Sequence, residues 1–260
     1  MFALSDLLSI VSGSLVGFTL GLVGGGGSIL AMPLMIYLVG IGSTHAAIGT
    51  SAVAVAASAA ANLIGPARAR TVKWPCAAVF AAAGMLGAAG GAELGKIVDG
   101  HRLLLLFGAL MVAVGLLMLR PRRTAGNADV RLNRASAMRL LPLLIGFGLG
   151  VGGLAGFFGI GGGFLIVPGL MAATGMPLIN AIGTSLVSVT ALGATTAASY
   201  AVSGLVDWRL AGLFVIGGAI GGVVGIALGQ KLSTHKRALS LTFSGIVIAV
   251  GVYVIGTSLR

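Results

Sequence analysis

The sequence predicts an all-α, polytopic membrane protein built from two homologous repeats, and three observations carry that prediction. Of the 260 residues, 57% are hydrophobic and only 8% are charged, with a mean hydropathy of +1.11. A soluble domain carries about 25% charged residues. No Lys, Arg, Asp or Glu occurs between Asp6 and Arg68, nor between Arg139 and Asp207. A membrane-spanning helix needs about 20 apolar residues, so each of these stretches holds more than one. The chain also repeats itself, each motif of the first half returning in order in the second. Gly24, Gly26 and Gly27 return as Gly159, Gly161 and Gly162, and Pro33 returns as Pro168. Ile48-Gly49-Thr50-Ser51 returns as Ile182-Gly183-Thr184-Ser185, Trp74 as Trp208, Gly84 as Gly218, Gly91 as Gly225 and His101 as His235. A repeat of this kind decides a fold before any local reading. It divides the chain into a first repeat (1–120), a basic linker expected on the cytoplasmic side (121–138) and a second repeat (139–260).

About four helical segments are expected per repeat. The first is an apolar run (8–40 and 143–174) interrupted by glycines. A second helix is predicted over 44–65 and 178–202, a third over 74–95 and 208–230, and a fourth over 102–119 and 237–257. The third segment carries glycines at every fourth position: Gly87, Gly91 and Gly95 in one half, and Gly217, Gly221, Gly225 and Gly229 in the other. Such a stripe lets helices approach closely in lipid, so it predicts packing rather than chemistry.

The interruption in the first segment is different. It reads GLVGGGGSILAMP (21–33) and FFGIGGGFLIVP (157–168). Each glycine inside a helix costs about 1 kcal/mol relative to alanine. Backbone opened in hydrocarbon must find partners in the protein or in a watery cavity. A broken helix is therefore expected at each cluster, its second arm starting near Ser28 or Gly163. The first N–H groups of that arm are unpaired and its dipole end is positive, which makes an anion site. Two such breaks in matching repeats are a transporter device. The candidate binding residues are Gly25, Gly26, Gly27, Ser28, Gly161, Gly162 and Gly163, with the hydroxyls of Thr50, Ser51, Thr184 and Ser185 completing the cage. The competing role for those hydroxyls is a bond back to a carbonyl one turn earlier.

Charge placement suggests how the repeats face. If each first segment crosses once, the repeats are parallel and the basic side chains divide 11 to five in favour of the linker side. If each first segment dips in and returns, the repeats are inverted and the split is 12 to four. Positive residues favour the cytoplasmic side, so inverted repeats with both termini outside are preferred. Asp207 beside Trp208, and Lys73 beside Trp74, read as interfacial anchors.

Other functions find no support. The net charge of +11 is scattered in short breaks between apolar runs, not gathered on a soluble face as nucleic-acid binding requires. A phosphate loop needs Lys after its glycines, and a dinucleotide fingerprint needs a flanking strand and an acid. The single Cys76 cannot form an internal disulfide or a metal site alone. No catalytic group, cofactor or metal is expected. The N-terminal MFALSDLLSI lacks a positive n-region and reads as a retained membrane segment. Glu93, with Lys96 one turn on, reads as a surface pair, and His45, His101 and His235 as cap or interfacial residues. Proton coupling through one of these acids or histidines, and homo-oligomerisation, stay open.

The doubled pattern Gly159-Ile160-Gly161-Gly162-Gly163 to Pro168, followed by Ala181-Ile182-Gly183-Thr184-Ser185, resembles the TauE/SafE family of sulfite exporters and toluene sulfonate uptake permeases. The first copy departs at one position, with Ser28 where the second has Gly163. The resemblance covers nearly the whole chain. It implies secondary transport of a small sulfur-containing anion, such as sulfite, sulfoacetate or another organosulfonate, across a bacterial inner membrane in contact with lipid. The expected mechanism is alternating access. The alternative is a small-anion channel, or a uniporter for a different oxyanion, driven by an inside-negative potential worth about 2.3 kcal/mol per charge per 100 mV.

Overall fold

The computed structural model describes residues 4–119, 134–160, 163–231 and 236–258. Among these residues every regular element is helical. The order is α1 (Leu4–Val23), a tighter 3₁₀ segment (Gly24–Leu30), α2 (Ala31–Pro33), a π turn (Leu34–Leu38), α3 (Thr44–Arg68), α4 (Trp74–Ile97) and α5 (Gly100–Leu119). Then come α6 (Arg134–Phe158), α7 (Gly163–Thr174), α8 (Leu178–Val202), α9 (Trp208–Lys231) and α10 (Lys236–Ser258). Among the described residues, seven helices are long and apolar enough to cross a membrane: α1, α3, α4, α5, α6, α8 and α9. Gly27–Leu38, Gly163–Thr174 and Ser244–Ser258 are shorter apolar helical runs.

Local chemistry sets the helix ends. The Ser43 hydroxyl accepts from the Ala46 amide at 3.4 Å and caps α3. Pro75 sits in the first turn of α4, where a missing N–H costs nothing. Pro177 precedes α8 in an extended conformation. The turns after α3 and α8 use the left-handed region at Arg70 (φ +53°) and Gly204 (φ +69°).

Two features differ from the sequence reading. The arm before each glycine cluster is not a half-helix: α1 has 20 residues and α6 has 25, enough to cross. The apolar residues ahead of Gly24 already supply the length of a bilayer core, about 1.5 Å per residue. Only the arm after the glycines is short. The second difference is at the linker: α6 begins at Arg134, so the end of the segment read as linker is helical. Most of that linker, 121–133, lies outside the described residues.

Packing between helices follows the glycine stripes. The predominant partners are α1 with α9, α4 with α6 and α5 with α10, followed by α3 with α8, α4 with α8 and α3 with α9. A β-carbon added at Gly87, Gly91 or Gly95 would overlap carbonyls of Leu149, Gly153 or Phe157 on α6. One added at Gly217, Gly221 or Gly225 would overlap carbonyls of Ile10, Ser14 or Phe18 on α1. The expectation that these stripes serve packing is met at both places.

The same contacts fix direction. Gly13, Gly17 and Gly21 meet Phe214, Gly218 and Gly222 in rising order, so α1 and α9 run parallel. Gly148, Gly152 and Gly156 meet Phe80, Gly84 and Ala88 in rising order, so α6 and α4 run parallel. Ser58 and Asn62 face Gly218 and Gly222, making α3 parallel to α9, whereas Gly49 meets Tyr200 and Gly193 meets Ala56, making α3 antiparallel to α8. Gly108 meets Gly251 and Gly115 meets Ile248, so α5 and α10 are antiparallel.

Candidate functional site

The first glycine segment meets the other half of the chain. The 3₁₀ segment Gly24–Leu30 packs against α7 and α8, elements of the other half of the chain. On the opposite side, Gly159 lies against the side chain of Ile48 on α3. Gly159 has φ +65°, and the Ile48 branch occupies the place a β-carbon would take. Only glycine meets both demands. Ile29, Met32, Ile48, Ile160 and Phe164 belong to one buried apolar cluster. The glycine segment of each half thus meets the Gly-Thr-Ser helix of the other, over an apolar floor.

The candidate residues take distinct positions. Gly25, Gly26 and Gly27 lie in the 3₁₀ segment with Ser28. Gly27 is packed against the α1 backbone at Leu20 and the hydroxyl of Thr19, and Ser28 is fully buried. Gly163 is the buried first residue of α7. Gly161 and Gly162 lie outside the described residues.

Thr50 and Thr184 are fully buried and do the same thing in the two halves. The Thr50 hydroxyl accepts from the Asp207 amide at 3.0 Å. The Thr184 hydroxyl accepts from the Lys73 amide at 3.0 Å. Asp207 and Lys73 immediately precede α9 and α4, so each threonine satisfies an amide at the entrance of a helix from the opposite half. The preceding glycines allow that approach: Gly49 abuts the Leu205 carbonyl, and Gly183 abuts the Thr71 hydroxyl. Asn180 adds a bond from its amide nitrogen to the Thr71 carbonyl at 2.8 Å. Ser51 donates to the Ile48 carbonyl at 3.0 Å and Ser185 to the Ile182 carbonyl at 2.8 Å.

Charged groups gather at two other places. Lys96 bonds Glu93 at 2.7 Å, the Ser199 carbonyl at 3.2 Å and the Ser203 hydroxyl at 3.0 Å, while Ser199 donates to Glu93 at 2.8 Å. This network ties the end of α4 to the end of α8, so Glu93 is more than a pair on one helix. The Asp6 carboxylate is buried and bonds Arg209 at 2.6 Å, joining the starts of α1 and α9. That pair escaped the sequence reading, because Asp6 and Arg209 are far apart in the chain and have no charged counterparts in the other repeat. Among the described residues no cluster of three or more His, Cys, Asp or Glu side chains is placed to hold a metal.

Comparison with known proteins agrees with this architecture. The family profile described as "Sulfite exporter TauE/SafE" matches residues 9–254. A "Probable membrane transporter protein" of Xylella fastidiosa (strain 9a5c) is 52% identical over 254 residues, covering 98% of this chain and 96% of the relative. The "Probable membrane transporter protein YunE" of Bacillus subtilis (strain 168) is 27% identical over 268 residues, covering 94% of this chain and 96% of the relative. No solved structure matches. The profile spans nearly every element described above and the spans give it its place, so the chain belongs to the TauE/SafE family, multi-pass membrane transporters of the bacterial inner membrane.

Proposed function

We propose that the protein is an alternating-access carrier for a small sulfur oxyanion such as sulfite, sulfoacetate or another organosulfonate. The anion sits between the two glycine segments, Gly25 to Ser28 and Gly161 to Gly163. Backbone amides at the starts of Gly27–Leu38 and α7 contact its oxygens. The observation that carries this reading is the packing of the first glycine segment against α7 and α8 of the other half.

Thr50 and Thr184 suit the role. A hydroxyl that accepts a bond keeps its own hydrogen to donate. Gly49 lies against Tyr200 and Gly193 against Ala56, so Thr50 and Thr184 sit toward opposite ends of the antiparallel α3–α8 pair, and each holds the entrance of α9 or α4 while offering its donor to the anion from its own side. Ser51 and Ser185 direct their hydrogens to carbonyls, and each reaches the anion only by rotating away, from the same end as its neighbouring threonine. Uncharged donors bind an oxyanion without trapping it, as a carrier requires.

The halves act as inverted repeats in this proposal. Its support is that α1 runs with α9, α6 runs with α4, and α3 opposes α8. Alternating access then follows from rocking one set of helices against the other about a fixed site. Coupling to protons is not needed for export, since the membrane potential already drives anions out. The Glu93–Lys96 network is assigned to joining α4 and α8.

A thermal-shift series with sulfite, thiosulfate, sulfoacetate, taurine and sulfate on the purified protein tests this. A ligand at 100 times its Kd stabilises the native state by about 2.7 kcal/mol. At least one sulfur oxyanion is expected to raise the melting temperature with concentration. No shift with any of them would contradict the proposal.

A further inference from the structure

We propose that Ser58 and Asn62 of α3 form a pair of donors for the transported anion, between the Gly-Thr-Ser motif of α3 and the loop that carries Arg68, Arg70 and Lys73. This rests on the carrier reading above. Ser51, Ser58 and Asn62 follow one another at steps of seven and four, so they share one stripe of α3. The Ser58 hydroxyl and the Asn62 amide nitrogen are both buried and have no hydrogen-bond partner among the described residues. A buried donor without a partner costs free energy.

Packing does not demand polarity here. Ser58 and Asn62 rest against Gly218 and Gly222 of α9. At the matching place in the second half, Leu192 rests against Gly84 of α4. An apolar side chain therefore solves the same steric problem, and the serine calls for another reason. Asn62 has a polar counterpart in Thr196, which is also buried without a partner among the described residues. Each Gly-Thr-Ser helix thus continues into an unpaired polar group on its own stripe, and the antiparallel helices carry these groups toward opposite membrane faces.

The chemistry matches an anion. An amide N–H and a hydroxyl donate to an oxyanion, carry no charge and do not titrate in the physiological range. In the state described, α9 closes over the pair at Gly218 and Gly222. Contact with the anion therefore belongs to a state in which α9, joined along its glycine stripe to α1, draws back from α3.

The test uses the full chain in proteoliposomes. Initial rates of radiolabelled sulfite, thiosulfate and sulfoacetate uptake are measured against concentration for wild type, Ser58→Ala, Asn62→Leu and Asn62→Asp, with melting temperatures in parallel. Asn62→Leu is expected to raise KM by about tenfold or more, the loss of a hydrogen bond to a charged partner, and to leave the melting temperature unchanged or higher. Asn62→Asp is expected to abolish uptake by repelling the anion, and Ser58→Ala to raise KM by a smaller factor. A lowered melting temperature with wild-type KM would assign the pair to structure and overturn the inference. Wild-type KM and stability in both Ser58→Ala and Asn62→Leu would do so as well. If Asn62→Leu does not fold, Ser58→Ala decides by the same KM criterion. If wild type moves none of the three anions, the carrier reading itself falls.

Discussion

At the scale of single residues, Thr50 and Thr184 link the candidate site to the rest of the molecule. Each accepts from an amide across the two halves, at 3.0 Å, from a fully buried position. Replacing either with valine keeps the shape and removes the acceptor. The expected cost is about 1–3 kcal/mol for each amide left unsatisfied, read as a lower melting temperature for Thr50→Val and for Thr184→Val. Asp6 and Arg209 give a second residue-scale prediction. The Asp6 side chain is 2% exposed and that of Arg209 66% exposed. Arg209→Ala strips a buried carboxylate of its guanidinium, whereas Asp6→Asn leaves a solvated arginine. Arg209→Ala is therefore expected to destabilise by about 2 kcal/mol more than Asp6→Asn, as measured by thermal unfolding of both variants. The Gly-Thr-Ser pair was legible because it repeats at a fixed offset. Its partners were not, since Asp207 belongs to the other half of the chain from Thr50 and no local pattern joins them. Ser58 and Asn62 were invisible for a related reason: a lone serine or asparagine in an apolar helix becomes informative only once its neighbours are known.

At the scale of elements, the glycines sort into those that touch a neighbour and those that do not. On α6, Gly152 and Gly156 lie against carbonyls of Gly84 and Ala88, while Gly146 and Gly150 face open space. Gly152→Ala forces the helices apart and is expected to destabilise by about 1–3 kcal/mol. Gly150→Ala is expected to be neutral, or to stabilise by up to about 1 kcal/mol through helix propensity. Thermal unfolding of the two alanine variants side by side checks this. The predicted starts of the later helices fall within two residues of Thr44, Leu178, Trp74, Trp208, Gly100 and Lys236, because tryptophan, proline and charge mark the ends of apolar runs. The first segment was harder. Its glycine cluster signalled an irregular backbone, but composition alone does not say how the two arms divide the run, and α1 takes 20 residues of it. Nor does composition signal the 3₁₀ geometry of Gly24–Leu30, which packs against α7 and α8, or the π geometry of Leu34–Leu38, which packs against α1 and α3.

At the scale of the whole molecule, each half is completed by the other. α1 finds its partner in α9, and α4 finds its partner in α6. A half alone would leave a glycine stripe without its opposing helix, so neither half is expected to fold in isolation; expression of residues 1–120 by itself should yield no stable membrane-inserted protein. The opposed directions of α3 and α8, with the charge count from sequence, favour both termini outside and the basic linker inside. Epitope tags at the two ends are expected to be accessible in intact spheroplasts, and a tag inserted in 121–138 only after permeabilisation. The expectation of a duplication rests on both tryptophans and the repeated Ile-Gly-Thr-Ser, whereas the packing of each half against the other required coordinates. The central claim concerns the glycine segments as the anion site, and flux through proteoliposomes tests it most directly. Radiolabelled sulfite, thiosulfate or sulfoacetate uptake by wild type is expected to saturate, and Gly162→Leu is expected to abolish it while the protein still inserts and unfolds cooperatively. Saturable uptake that survives unchanged in Gly162→Leu would contradict the account.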